Sequence, residues 1–259
     1  MYYDKRVSEA PSRAAGSPLK SFHNAAKREL LVRFAGSSLL DLACGRGGDI
    51  HKWRVAGVRS ALGLDASAAS VDEARRRFEA TGGDEDYTFE TRDLRHAFRP
   101  PHAFDTVTCM FALQYFFGTE ASARAVFETV ASSLAPGGHF VGIVPDATRV
   151  VEVLRANDGK VDDGVASMRA LWDGPTRPFG SEYAFGVSGT IVDSSNVEFL
   201  VFKNVVTALA RAHGLEPVDI HGGGCFTPGG PGWAWLAPPY GGAAGSCTRM
   251  YKALAFVKV

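Results

Sequence analysis

The stretch LLDLACGRGGD, residues 39–49, constrains the fold of this chain more than any other segment. Leu39, Leu40 and Leu42 read as the end of a buried parallel strand, with Asp41 set inside it. Ala43, Gly45, Gly47 and Gly48 then permit a turn whose backbone can approach a ligand closely, and a helix follows with its positive end facing that turn. The alternation continues along the chain. Strands are expected at 38–42, 60–65, 87–91 and 104–110, helices at 48–56, 68–80 and 119–134, and a turn into a further strand at 135–145. Such an order predicts an α/β, Rossmann-like fold with a mixed, mostly parallel sheet and helices on both faces. An amphipathic helix over 21–34, stopped near Gly36, precedes the first strand.

Ligands in sheets of this kind bind at the carboxyl ends of the strands. Asp41, Asp65, Asp93 and Met110 all fall at predicted strand ends, where one ligand could touch all four. Asp65 closes the strand ALGLD, the place from which an acid bonds ribose hydroxyls. A dinucleotide loop would read G-x-G-x-x-G, but this one reads D-x-A-C-G-R-G-G-D. Its acids suit a ligand with a cationic end, such as the amino group and sulfonium of S-adenosylmethionine. Asp93 is placed for an adenine contact or for capping a helix. Met110, through its backbone, and Phe111 would flank the adenine or pack the core. Lys27 either reaches a cofactor carboxylate or is solvated. Tyr115, Phe116 and Phe117 follow a strand end and could stack on a flat base or pack the next helix.

Lysine plus arginine equals aspartate plus glutamate, 28 each, so no global charge drives the chain onto nucleic acid or membrane. Residues 1–40 nonetheless hold seven basic residues, Lys5, Arg6, Arg13, Lys20, Lys27, Arg28 and Arg33, against three acids, so a local anion-binding face competes with a solvated helix surface. Cys44, Cys109, Cys225 and Cys247 lack zinc-type spacing, which fits a reducing compartment. No leader-like apolar core and no membrane-length apolar run is expected to place the chain at a membrane. Beyond residue 150, helices are expected at 150–156 and 204–213 and strands at 181–185 and 253–257. The glycine- and proline-rich segment 222–245 is expected to be a loop without a core of its own. Its APPY motif (237–240) has alanine where amino-directed methyltransferases carry a polar residue, and lies far from the fourth strand.

Taken in sequence, the motifs resemble those of mRNA cap guanine-N7 methyltransferases. The family's Phe-Asn-Asn-Trp-Ile-Lys helix is similar to FHNAAK (22–27), its Asp-Leu-Gly-Cys-Gly-Lys-Gly-Gly-Asp loop to DLACGRGGD (41–49), and its Lys-Trp pair to Lys52-Trp53. FALQYFF (111–117), PFGSEYAF (178–185) and VEFLV (197–201) resemble three further segments, and Tyr251 a closing tyrosine before a terminal strand. The resemblance implies a class I methyltransferase fold with a substrate-binding insertion: a single domain over 1–259, with an N-terminal lid region at 1–36, a cofactor core at 37–149 and cap-binding elements at 150–259. It implies S-adenosylmethionine as cofactor, at Lys27, Ala43, Asp65, Asp93, Met110 and Tyr115, to which the reading of the strand ends and turn adds Asp41, Gly45 and Phe111. It assigns the cap to His23, Asn24, Arg46, Lys52, Arg77, Gln114, Glu198 and Tyr251. His23 replaces asparagine, Gln114 histidine, Phe199 tyrosine, Ala43 glycine and Met110 glutamine.

The implied reaction needs no side-chain acid or base, with Tyr115 and Glu198 positioning the guanine. The implied partner is 5′-capped RNA, alongside capping triphosphatase and guanylyltransferase. The setting is nuclear for a cellular protein, or the host cytoplasm or nucleus for a viral one. A small-molecule methyltransferase with the same cofactor half, and a non-catalytic cap-binding or activating partner, remain the alternatives.

Overall fold

The computed structural model describes residues 17–188 and 196–259. Lys5, Arg6 and Arg13 of the basic N-terminal set lie outside the described residues. The first described helix, α1 (Pro18–Phe34), begins three residues before the expected start at Ser21, because Ser17 Oγ accepts the Lys20 amide at 3.2 Å and Pro18 occupies the first turn. Five parallel strands follow: β1 (Ser38–Leu42), β2 (Ser60–Asp65), β3 (Asp86–Thr91), β4 (Phe104–Met110) and β5 (Leu134–Pro145). Between them lie α2 (Ile50–Val55), α3 (Ala68–Thr81) and α4 (Glu120–Ser133), with a 3₁₀ turn at Leu113–Phe116. Ser67 caps α3, and a reciprocal Thr119–Ser122 capping box starts α4.

The sheet runs β3-β2-β1-β4-β5 and continues through β13 (Tyr251–Lys258), antiparallel to β5. Strand order therefore reverses between β1 and β4, which opens a crevice at their carboxyl ends. β1, β4 and β13 are buried on both faces, against two apolar clusters separated by the sheet. Beyond β5 come α5 (Ala147–Ala156), β6 (Lys160–Asp162), β7 (Ala166–Ala170), β8 (Glu182–Val187), β9 (Asn196–Phe199) and α6 (Lys203–Ala212). Strands β6 to β9 form a second, antiparallel sheet. Among the described residues, no helix is long and apolar enough to cross a membrane.

The segment 222–245 departs from the expected loop. It contains β11 (Phe226–Pro228) and β12 (Trp233–Leu236), and the start of α7 (Gly242–Thr248). Together with β10 (Leu215–Pro217), these strands extend the central sheet along β13. Its glycine and proline turns hid two short strands that bury Phe226, Trp233 and Leu236 in the chain's common core. The segment needs no core of its own.

Candidate functional site

Four strand tips build the first half of the site. Asp41 on β1 stands beside Gly63 of β2 and Thr108 of β4, and is buried. Thr108 Oγ1 donates to Asp41 Oδ1 at 2.7 Å. Burial, aided by neighbouring Asp49, pushes the Asp41 carboxyl up to about 7. The chain then turns sharply. Ala43 adopts φ +65°, a left-handed conformation costly for any residue with a Cβ, and Gly45 follows at φ +53° with open space where a side chain would project. Asp65 at the tip of β2 clamps the turn, accepting the Gly45 amide at 2.8 Å and the Ser67 amide at 2.9 Å. The result is a shelf of bare backbone flanked by two carboxylates.

Lys27 of α1 and Lys52 of α2 meet at Asp49, each 2.8 Å from one carboxylate oxygen, and Lys52 also donates to the Gly48 carbonyl at 2.8 Å. Burial alone would raise the Asp49 carboxyl, but the two ammonium groups outweigh it and hold it below the ordinary range. Asp49 ties α1 and α2 to the turn, and the motif reading did not single it out. Arg46 projects from the same turn with Nε and Nη2 buried and unpartnered among the described residues. Its charge reaches Glu73, which also holds Arg77 at 2.8 Å. Asp93 is engaged by Arg95, whose hydrogen bonds hold its carboxyl down at about 2.

The second half of the site is a chain of rings and hydrogen bonds. Beyond Met110, which is buried at the end of β4, Phe111 takes φ +60°. Its ring stacks on His23 at 4.8 Å and meets Tyr251 edge-on at 5.1 Å. Asn24, next to His23 on α1, is half-buried. Burial, then the charge of Lys27, drives the His23 imidazole down to about 4, so the ring is neutral at physiological pH. Gln114 joins the ring cluster to the second sheet, its Nε2 donating to the Phe111 carbonyl at 2.9 Å and to Glu198 Oε1 at 3.3 Å.

Glu198 is buried on β9, facing that bridge. Tyr183 Oη donates to its Oε2 at 2.6 Å, while Tyr115 and Asn196 donate to Oε1 at 3.2 and 3.4 Å. Burial outweighs these donors and raises the carboxyl above the ordinary glutamate range. Two polar atoms of the site, Gln114 Oε1 and His23 Nε2, are buried without hydrogen-bond partners among the described residues. Sequence reasoning passed over Asn196 and Tyr183 as site residues. The strand period was the available signal, since Asn196 shares a face with Glu198 and Tyr183 is its cross-strand partner. Phe116 and Phe117 are buried in the core beneath α4, so of the three aromatics only Tyr115 joins the site.

The sequence model of the mRNA (guanine-N(7))-methyltransferase domain matches residues 2–221. Among similar proteins, mRNA cap guanine-N(7) methyltransferase 1 of Arabidopsis thaliana is 30% identical over 85% of this chain and 65% of its own length. The mRNA cap guanine-N(7) methyltransferase of Saccharomyces cerevisiae is 31% identical over 78% of this chain and 51% of its own. The chain thus spans half to two thirds of these relatives. Two solved structures share the fold. An S-adenosylmethionine-dependent methyltransferase from Clostridium acetobutylicum has a TM-score of 0.60 at 16% identity, covering 99% of this chain and 96% of its own. The CcbJ methyltransferase from Streptomyces caelestis has a TM-score of 0.62 at 15% identity, with the same coverage. The fold is that of class I methyltransferases, and the chain belongs to the mRNA (guanine-N(7))-methyltransferase domain family.

Proposed function

We propose that the chain transfers a methyl group from S-adenosylmethionine to N7 of the 5′ guanosine cap of RNA. The observation that carries this reading is the buried Glu198 carboxylate, joined through Gln114 to the Phe111 carbonyl just beyond β4, the strand paired with β1 and its Asp41. The bare shelf at Ala43 and Gly45, flanked by Asp41 and Asp65, fits a nucleoside with a cationic tail. Bound there, S-adenosylmethionine supplies an electrophilic methyl on a sulfonium.

Asp65 holds ribose hydroxyls, and Asp41 supplies negative charge beneath the turn. Lys27, with Nζ 5.5 Å from the Phe111 ring centre, faces the cofactor's carboxylate end. Met110 and Phe111 flank the adenine, and Asp93 reaches it once released from Arg95. Glu198 accepts hydrogen bonds from N1–H and the 2-amino group of guanine, which single out this base and favour its cationic N7-methyl form. Tyr115, Gln114, His23, Asn24 and Tyr251 shape the pocket, and Arg46, Lys52 and Arg77 attract the triphosphate bridge. Guanine N7 carries no proton, so the protein has none to remove. Its contribution is alignment in a water-poor site, which supplies on the order of 7–11 kcal/mol when geometry is well held.

The wider partners are capped transcripts and the triphosphatase and guanylyltransferase that make them. The site of action is the nucleus of a cell, or the host cytoplasm or nucleus if the source is viral. Methyl transfer from labelled cofactor to GpppA, GpppG and GTP, with the product position mapped, tests the reading. Label on guanine N7 is expected. Label on ribose oxygen, or none, overturns it.

A further inference from the structure

Across the sheet from Tyr251, four side chains from three segments gather around Trp235 of β12. Lys252, the next residue on β13, places Nζ 3.7 Å from the Trp235 ring centre and 2.7 Å from Asp146 Oδ2. The guanidinium of Arg149, on α5, lies 4.8 Å from the same ring. Lys203, the first residue of α6, donates to the Gly229 carbonyl at 2.6 Å and lies near enough to feel both Lys252 and Asp146. The other oxygen of Asp146 is committed to the Arg149 amide at 3.0 Å, as the cap of α5.

Of these three cations, Lys252 pairs with Asp146, and among the described residues neither Arg149 nor Lys203 has an ion-pair partner. Burial and the repulsion of Lys252 both work against the charge on Lys203, so a bound anion would relieve the cluster. Trp235 holds Lys252 and Arg149 through its ring face rather than neutralising them. The cluster is not deep in the fold. Arg149 is exposed, and Trp235 and Lys203 are half-buried.

Its position relates it to the cleft. Asp146 directly follows the last residue of β5, at the carboxyl end of the parallel strands where the crevice opens. The backbone bonds of Asp146 to Met250 and of Ala147 to Val201 bring together the segments that carry Tyr251 and Glu198. Lys203 is five residues beyond Glu198 in the chain, a span of at most roughly 17 Å.

We infer that Arg149 and Lys203, braced by Trp235, Lys252 and Asp146, form a phosphate-binding patch for the RNA chain downstream of the cap. The inference rests on the cap-methylation reading. The ligand chemistry is the ribose-phosphate backbone, bound without regard to sequence, because the groups presented are cations and not base-reading amides. The patch gives a substrate-length preference to a chain whose overall charge is neutral.

Two measurements on the whole chain test this, using the double variant Arg149→Gln/Lys203→Gln. The first is fluorescence anisotropy with an uncapped, labelled single-stranded RNA of about 20 nucleotides, long enough to span several phosphates. The double variant is expected to bind about tenfold more weakly, with a log–log salt slope shallower by roughly one per lost phosphate contact. The second is methylation kinetics, in which KM should rise by a similar factor for a capped RNA of that length and stay unchanged for GpppA. A melting temperature equal to wild type certifies the fold, and the single variants Arg149→Gln and Lys203→Gln replace the double variant if it falls. Equal RNA affinity in wild type and variant overturns the patch, as does a KM that rises equally for GpppA. Failure of wild type to methylate GpppA would instead overturn the cap reading, and the anisotropy comparison would still decide the patch.

Discussion

Tyr115 Oη donates to Glu198 Oε1 at 3.2 Å, which places an aromatic from the turn after β4 against a carboxylate 83 residues later in the chain. The contact joins the two sheets across the cleft and fixes where a flat base would sit. A guanine entering it competes with three long donors on Oε1, from Tyr115, Gln114 and Asn196, and leaves the shorter Tyr183 bond on Oε2 in place. In the proposed reaction Glu198→Ala would remove two charge-assisted hydrogen bonds to the base, each about 1.5–3 kcal/mol, so kcat/KM on GpppA should fall about 100-fold or more. Calorimetric affinity for S-adenosylmethionine should be unchanged. A matching loss of cofactor affinity would assign Glu198 to the other half of the site.

The same carboxylate predicts a pH limb. Glu198 must be ionised to accept from guanine, and burial lifts its carboxyl above the ordinary range. Acidification should therefore reduce kcat/KM at a higher pH than an ordinary glutamate would give, with activity retained on the alkaline side. Glu198→Gln should be slower and should lose that limb. A pH profile of the variant that superimposes on wild type after scaling would contradict this.

What could be read from residues alone follows from how local each signal is. Asp41, Ala43, Gly45 and Asp65 lie within one strand–turn–helix–strand unit, so spacing and composition place them together. The second half depends on pairing across distance. Glu198 meets Tyr115 only because β9 joins the antiparallel sheet in register with β8, and its four-residue strand carries too little periodicity to announce a sheet. Asn196 and Tyr183 escaped for that reason. The segment 222–245 misled through composition, since glycine and proline mark its turns correctly while Trp233 and Phe226 draw their burial from β13 and the shared core. Phe116 and Phe117 look like Tyr115 in sequence, and only the direction of the 3₁₀ turn separates them.

Asp41 should make stability depend on pH in the sense opposite to most carboxylates. Its folded value near 7 lies above that of an unfolded aspartate, so the native state binds the extra proton. Its contribution is fully present below about pH 4 and is lost as pH rises through 7. Asp41→Asn keeps an acceptor for Thr108 and removes the titration. Melting temperatures should show the variant gaining on wild type between pH 5 and 8, while its cofactor affinity drops. A difference that stays constant across that range would show that Asp41 ionises normally.

Ala43 offers a test of backbone strain. At φ +65° an alanine costs about 1–2 kcal/mol relative to glycine, offset by the smaller entropy that alanine loses on folding. Ala43→Gly should stabilise the chain by up to about 1 kcal/mol in urea unfolding. Cofactor affinity should hold, because the turn reaches its ligand through backbone. Destabilisation would mean that the Ala43 methyl, which packs against the buried core on one side of the sheet, matters more than the strain.

Asp49 carries the heaviest structural load in the turn. It pairs with both Lys27 and Lys52, all three groups being at most one fifth exposed, and it anchors both α1 and α2. Asp49→Ala leaves two cations facing one another with no acid between them, and breaking a buried pair of this kind costs about 3–5 kcal/mol. The folded carboxyl is held below its unfolded value, so the stabilisation is present above about pH 4 and is lost as pH falls through the folded value. Wild type should therefore lose stability on acidification more steeply than Asp49→Ala. Adding Lys27→Met to the variant removes one of the stranded charges and should restore part of the loss, giving a coupling energy of roughly 0.5–3 kcal/mol in a double-mutant cycle. Strict additivity would show that Lys27 and Asp49 act independently, with Lys27 already committed to a ligand rather than to the fold.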